Sequence, residues 1–145
     1  GISLDAVMQR ENETGPVPRP IMVMANYLEQ SNAFQQEGIF RLCGNQENML
    51  QLINDIDTGD DFDLTKYDIH EIAGVLKLYF QLLPQPILTF KLYPRFMAAV
   101  CLEDRDLRNS YYNALLATVS EMRKNVSRYV LQLLQKVAVH KEQNK

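Results

Sequence analysis

Between residues 67 and 83 the apolar side chains Ile69, Ile72, Ala73, Leu76, Phe80 and Leu83 recur mostly three and four positions apart, the spacing that lays one stripe along an α-helix. Pro84 and Pro86 follow at once. Proline cannot continue a helix interior and biases the residue before it away from helix, so the element stops at Leu83. An amphipathic helix must bury its stripe against other elements, and the rest of the chain repeats the pattern. Ile21, Met24, Ala25 and Leu28 mark a helix over 20–31, with Pro20 suited to its first turn. Asn45 can cap a helix over 46–55 that turns Met49, Leu50 and Ile53 inward. Ile87, Leu88, Tyr93, Phe96, Met97 and Val100 read as a second buried patch, with residues 92–102 helical. Asp104 opens a helix over 105–122 carrying Leu107, Tyr111, Leu115 and Val119. After Arg123-Lys124-Asn125 comes a last helix over 127–141, capped by Asn125 or Ser127, which buries Val130, Leu131, Leu134, Val137 and Ala138. Ser3 can cap a short helix over 5–10. Residues 11–20, with Pro16, Pro18 and Pro20, form an extended connector. No stretch alternates with period two, so the expected class is all-α, a helical bundle forming one domain over residues 1–145.

Composition narrows the function classes. A chain of 145 residues with 46% hydrophobic and 23% charged residues is ordinary for a globular domain. A net charge of −3 argues against a general nucleic-acid binder, which would be basic. Cys43 and Cys101 form no spaced pair or cluster; they fit reduced thiols, and a cytoplasmic setting is the expectation. No apolar run approaches the roughly 18 residues that would span a bilayer. Residues 57–63 hold four aspartates and a glycine, but their spacing does not match a calcium loop and no closing glutamate follows, so no metal is expected. His70 and His140 have no companion Ser or Cys nucleophile and no cysteine–histidine metal set. No glycine-rich phosphate loop ending in Lys-Ser or Lys-Thr occurs. A self-contained active site is not expected.

Two features remain. On the central helix His70, Gly74, Lys77 and Gln81 are separated by four, three and four residues and stack in one line. A helix-interior glycine costs about 0.5–1 kcal/mol relative to alanine, which is easier to understand if another backbone, of a loop or a partner, approaches at Gly74. The plain alternative is a solvated polar stripe. The second feature is Gly38-Ile39-Phe40-Arg41-Leu42-Cys43-Gly44. Two glycines supply bends that other residues avoid, and the four apolar residues read as anchors that hold Arg41 outward. A guanidinium is always charged, and its planar fork suits phosphate oxygens. Composition alone favours the plainer reading, an arginine that pairs with a nearby carboxylate and steadies the loop.

The spacing of that stretch resembles the arginine-finger loop of the RhoGAP family, whose domains accelerate GTP hydrolysis by Rho-type small GTPases. Four further matches follow in the family's order. Pro20-Ile21 with Tyr27-Leu28-Glu29 resembles the first core helix, and Asp68, His70 and Ala73-Gly74-Val75-Leu76-Lys77 resemble a later one. Leu83-Pro84-Gln85-Pro86-Ile87-Leu88 is similar to the family's Leu-Pro-Glu-Pro-Leu, and Asn125 falls at the asparagine of Leu-Pro-x-x-Asn, with Glu121 and Met122 replacing its leucine and proline. The resemblance implies an activator acting in trans on a Rho- or Rac-type GTPase. Arg41 would be catalytic, Gly38 and Gly44 would shape the loop, and Lys77, Gln81, Gly74 and His70 would lie toward the partner. Lys77 would also help hold the finger loop. GTP and Mg²⁺ would belong to the GTPase, so no cofactor is implied for this chain.

The chain also departs from the family pattern elsewhere. Gln81 stands where the family usually has arginine, and Leu82 replaces a usual glutamate. The family's segment with an Asn-Leu-Ala motif and its last helices would follow Asn144-Lys145, so the domain is expected to be C-terminally incomplete, with exposed apolar surface or segments swapped into an oligomer. Gly1-Ile2-Ser3-Leu4 looks like an excised domain start, implying a larger protein whose flanking domains could recruit it to membranes. These departures keep open an alternative: a catalytically weak or inactive module that binds GTPase.

Overall fold

The computed structural model describes Ala6, Gly15 and residues 17–58 and 62–145. Among them α-helices and two short 3-10 turns follow one another without a strand, as the apolar spacing predicts. The helix expected over 5–10 lies, Ala6 apart, outside the described residues.

Helix α1, Arg19–Gln30, carries Pro20 in its first turn and buries Ile21, Met24, Ala25 and Leu28, the expected face. Helix α2, Gln46–Thr58, starts where Asn45 Oδ1 accepts the N–H groups of Glu47 at 2.9 Å and Asn48 at 3.2 Å. It continues through Asp57 to Thr58, so the expected acidic loop begins later. Its buried side is set by Leu52 and Ile56, with Met49 and Ile53 packed against the core. Leu50 points away, 66% exposed, because it falls outside the 49, 52, 53, 56 stripe that meets the neighbouring helix. The short turn Leu64–Lys66 is capped by Asp63 through the Thr65 N–H.

Helix α3, Ile69–Gln81, is the axis of the fold. Asp68 accepts from the His70 N–H at 2.8 Å and Glu71 reaches back to the Asp68 N–H at 2.8 Å, a capping box. Both α1 and α2 pack on it. Residues 71–76 are consequently buried on every side, where the periodicity predicts a single stripe. Tyr67, at its entrance, donates to Asp55 Oδ2 of α2 at 3.0 Å. Burial, and then that hydrogen bond, push its phenol above the ordinary value.

Helices α4, Tyr93–Val100, and α5, Arg105–Ala117, pair with each other. Leu92, Leu115 and Val119, joined by Phe96, form a small separate core. Tyr93, Met97, Val100, Leu107 and Tyr111 stay exposed, since two short helices enclose too little volume to cover them. The chain breaks at Thr118, not at Arg123, and α6 runs over Glu121–Val139 from Ser120. Arg123-Lys124-Asn125 is thus helical. Arg123 is buried, and its guanidinium donates to Pro86 O at 2.7 Å, Ile87 O at 3.3 Å and Gln85 Oε1 at 2.9 Å. Carbonyl dipoles solvate the charge, so a polar tripeptide that reads as a loop is carried inside a helix. The α6 face turned inward bears Val126 and Leu133, with Tyr129, Val130 and Val137. Leu131 and Leu134 are exposed and Ala138 is too, one step round the helix from where the spacing places them. A last turn, α7, Lys141–Asn144, closes the described chain.

Candidate functional site

After α1 the chain passes through Asn32, in the left-handed region at φ 52°, and a 3-10 turn over Ala33–Gln35 whose Ala33 and Phe34 are buried. This turn delivers residues 38–44 to the edge of the bundle. Gly38 adopts φ +75°, a conformation open to glycine at little cost. Its carbonyl accepts the N–H groups of Arg41 at 2.9 Å and Leu42 at 2.8 Å, so the loop closes on itself. A Cβ at Gly38 would lie 2.6 Å from Leu42 Cγ. Phe40 also has positive φ, 63°, unusual for a bulky residue and costing on the order of 1–3 kcal/mol. Ile39 is buried and Phe40 half-buried against the main core. Leu42, 46% exposed, and Cys43 are outside it. The loop therefore has two apolar anchors rather than four, because the turn about Gly38 swings residues 42 and 43 off the core.

Arg41 sits beyond these anchors, exposed. Its side chain makes no ion pair or hydrogen bond among the described residues. Among the described residues the carboxylate partner of the plainer reading is not found. The loop is braced from two sides instead. Lys77 Nζ, on α3, donates to the Phe40 carbonyl at 3.1 Å, holding the strained peptide directly before Arg41. The Gly38 N–H donates to the Asn144 carbonyl at 2.7 Å.

The line along α3 is not a uniform polar stripe. Lys77 and Gln81 are exposed, His70 is half-buried and Gly74 is buried. His70 Nδ1 is buried without a hydrogen-bond partner. At Gly74 no backbone approaches; the side chain of Met49 lies over it, its Cε 2.8 Å and Sδ 3.2 Å from where a Cβ would stand. The close backbone approach occurs at Gly44, where a Cβ would lie 2.7 Å from both Cα and N of Glu71. Gly44 lets the Arg41 loop lie flat on the first turn of α3. The two glycines should therefore respond differently to alanine. Gly44→Ala is expected to destabilise the fold by about 1–3 kcal/mol, since backbone must move. Gly74→Ala should change stability by less than about 1 kcal/mol, because a flexible methionine end can shift and alanine favours the helix. Urea midpoints of the two variants check this.

Three further residues of the site region are not among the candidates that the sequence singles out. Glu71, buried, accepts from Asn48 Nδ2 at 2.8 Å as well as from the Asp68 N–H, tying α2, α3 and the Gly44 contact together; the Asp68-x-x-Glu71 spacing is the sequence trace of its capping role. Arg123 reads as a surface residue. Asn144 Nδ2 donates to Phe34 O at 2.9 Å and to Val137 O at 2.8 Å, and nothing in its neighbourhood foretells those partners. Among the described residues no helix is long and apolar enough to cross a membrane.

A loop closed on a glycine, lying on the first turn of a central helix and presenting one unpaired arginine, can be compared with known domains. The RhoGAP domain family model matches residues 18–145. The chain is 34% identical over 131 residues to Rho GTPase-activating protein gacII of Dictyostelium discoideum, covering 88% of this chain and 16% of that protein. It is 30% identical over 146 aligned positions to Rho GTPase-activating protein 1 of Homo sapiens, covering 100% of this chain and 33% of that protein. In fold it is similar to human Rho GTPase activating protein 15, with a TM-score of 0.90 at 23% identity over 98% of this chain and 67% of that one. The chain belongs to the RhoGAP domain family. It spans between about a sixth and a third of the length of these two curated relatives.

Proposed function

We propose that this chain stimulates GTP hydrolysis by a Rho- or Rac-type small GTPase, with Arg41 entering the partner's site as an arginine finger. The observation that carries the reading is a guanidinium with no ion pair or hydrogen bond among the described residues, on a strained loop braced from two sides. An arginine held out without a carboxylate keeps its charge and its fork of donors for an incoming phosphate. The GTPase holds GTP, Mg²⁺ and the glutamine that positions the attacking water. Arg41 adds donors aimed at charge that develops on the transferring phosphoryl group. In a site from which the interface excludes water, such donors act in a low dielectric and need no reorganisation at the moment of reaction. Lys77 fixes the Phe40 carbonyl and, exposed, meets the GTPase beside the loop. Gln81, one turn further along α3, extends that contact with an amide where the family usually has a charge.

The exchanged charge at Gln81 supports a second reading, a module that binds the GTPase without accelerating it. Single-turnover hydrolysis by a panel of Rho- and Rac-type GTPases separates the two. Acceleration of at least one of them is the expected result. Complex formation with no acceleration across the panel would leave only the binding module.

A further inference from the structure

We propose that Asn144 is a positioning residue for the arginine loop, acting on Arg41 through the Gly38 peptide; this rests on the finger reading above. The Gly38 peptide is the hub of the loop. Its carbonyl closes the turn by accepting from Arg41 at 2.9 Å and Leu42 at 2.8 Å, and its N–H is captured by the Asn144 carbonyl at 2.7 Å. The plane of a peptide is rigid. Fixing the N–H of Gly38 therefore fixes the direction of the chain that enters the turn. Glycine at φ +75° is the residue least able to hold that direction by itself.

The Asn144 carbonyl is useful as a brace only if it is itself held. Its own side-chain amide does this, with both Nδ2 protons committed: one to Phe34 O at 2.9 Å, one to Val137 O at 2.8 Å. Phe34 belongs to the buried turn that leads into the loop, and Val137 to the last turn of α6. A single asparagine thus joins the loop, the turn before it and the C-terminal end of α6. Asparagine suits the position because an amide offers two donors on one nitrogen. Aspartate, of the same shape, would set a carboxylate against two carbonyl oxygens.

Lys77 braces the Phe40 carbonyl after the bend and Asn144 braces the Gly38 N–H before it. With both in place Arg41 leaves the loop along one direction. With Asn144 lost, the Gly38 peptide can rotate, and the guanidinium samples positions of which a fraction match the phosphoryl oxygens. Displacement by about 1 Å can cost on the order of 10²-fold in rate. The penalty falls on the chemical step, because ground-state contacts of the α3 surface are untouched.

The test is single-turnover GTP hydrolysis by a responsive Rho-type GTPase, titrated with the intact protein carrying Asn144→Ala, Asn144→Asp, Arg41→Ala or the Asn144→Ala/Arg41→Ala pair. Asn144→Ala is expected to lower the saturating rate about 10- to 100-fold while the half-saturating concentration changes less than about twofold. Asn144→Asp is expected to fall at least as far. In the Arg41→Ala background the second substitution should have no further effect, since a residue that acts only by aiming Arg41 has nothing left to aim. An unchanged saturating rate in Asn144→Ala, or a loss carried by half-saturation alone, overturns the proposal. So does an equal further loss in the Arg41→Ala background. Should the alanine variant not fold, Asn144→Gln, which keeps both donors one methylene further out, is read on the same two quantities with the same criteria. Failure of the finger reading looks different: Arg41→Ala itself would then retain the parent rate.

Discussion

Arg41→Ala is expected to reduce stimulated GTP hydrolysis by about 10³–10⁵-fold, equivalent to roughly 4–7 kcal/mol of transition-state stabilisation. The thermal unfolding midpoint should stay within about 1 °C, because the side chain is exposed and makes no hydrogen bond or ion pair among the described residues. Binding of the GTPase loaded with a non-hydrolysable GTP analogue should persist, since Lys77 and Gln81 remain on the same face of α3. Arg41→Lys should fail nearly as completely. An ammonium is a compact point charge and cannot place two donors on two oxygens at once. Stimulation retained by the alanine variant would remove Arg41 from the mechanism. A midpoint lowered by several degrees would mean that it holds the fold.

The largest effect on stability is expected one position apart from a residue with almost none. Leu76 is 1% exposed and sits in the main core beneath α1 and α2, whereas Lys77 is exposed. Leu76→Ala removes buried methyl groups and leaves a cavity that α3, packed on both sides, cannot close. The cost should be about 2–5 kcal/mol, which for a domain of this size lowers the unfolding midpoint on the order of 10 °C. Lys77→Ala should move that midpoint by no more than a degree or two. Its hydrogen bond to the Phe40 carbonyl is solvated, so its loss should be read in the stimulated rate. Calorimetry on both variants, paired with hydrolysis rates, checks the contrast. Equal midpoints would show that Leu76 does not face the core.

How much of this was legible depended on whether local physics decided the outcome. The α1 face, the Asn45 cap and the end of α3 before Pro84 followed from spacing and backbone chemistry alone. The loop around Arg41 was legible as glycines bracketing apolar residues, and Ile39 and Phe40 do anchor it. Leu42 and Cys43 read as anchors too and are exposed instead, since the swing that turns them outward comes from the positive φ of Gly38 and Phe40. The spacing turns Leu50 inward rather than Leu52, since both are apolar and only the position of α3 decides which is covered. Arg123 was the harder case. A charged tripeptide reads as a break, and three oxygen acceptors supplied by the turn at residues 85–87 reverse that reading. Gly74 shows the converse. Its cost in a helix does signal a close neighbour, yet the neighbour is Met49, and the backbone contact falls at Gly44.

The hydrogen bonds around Asn144 also set an order of events in synthesis. Asn144 pairs with Phe34, 110 residues upstream, and with Gly38 close by it. Closing so long a stretch of chain costs entropy before any contact offsets it. Chains emerge N-terminus first at roughly 5–20 residues per second. The pairs within α1, α2 and α3 can therefore form several seconds before residue 144 exists. A nascent chain would acquire its central helices, and much of its protease resistance, while the arginine loop still lacked one of its two braces. Maturation of the arginine loop would be timed by the segment around residue 144, which follows the central helices in the chain.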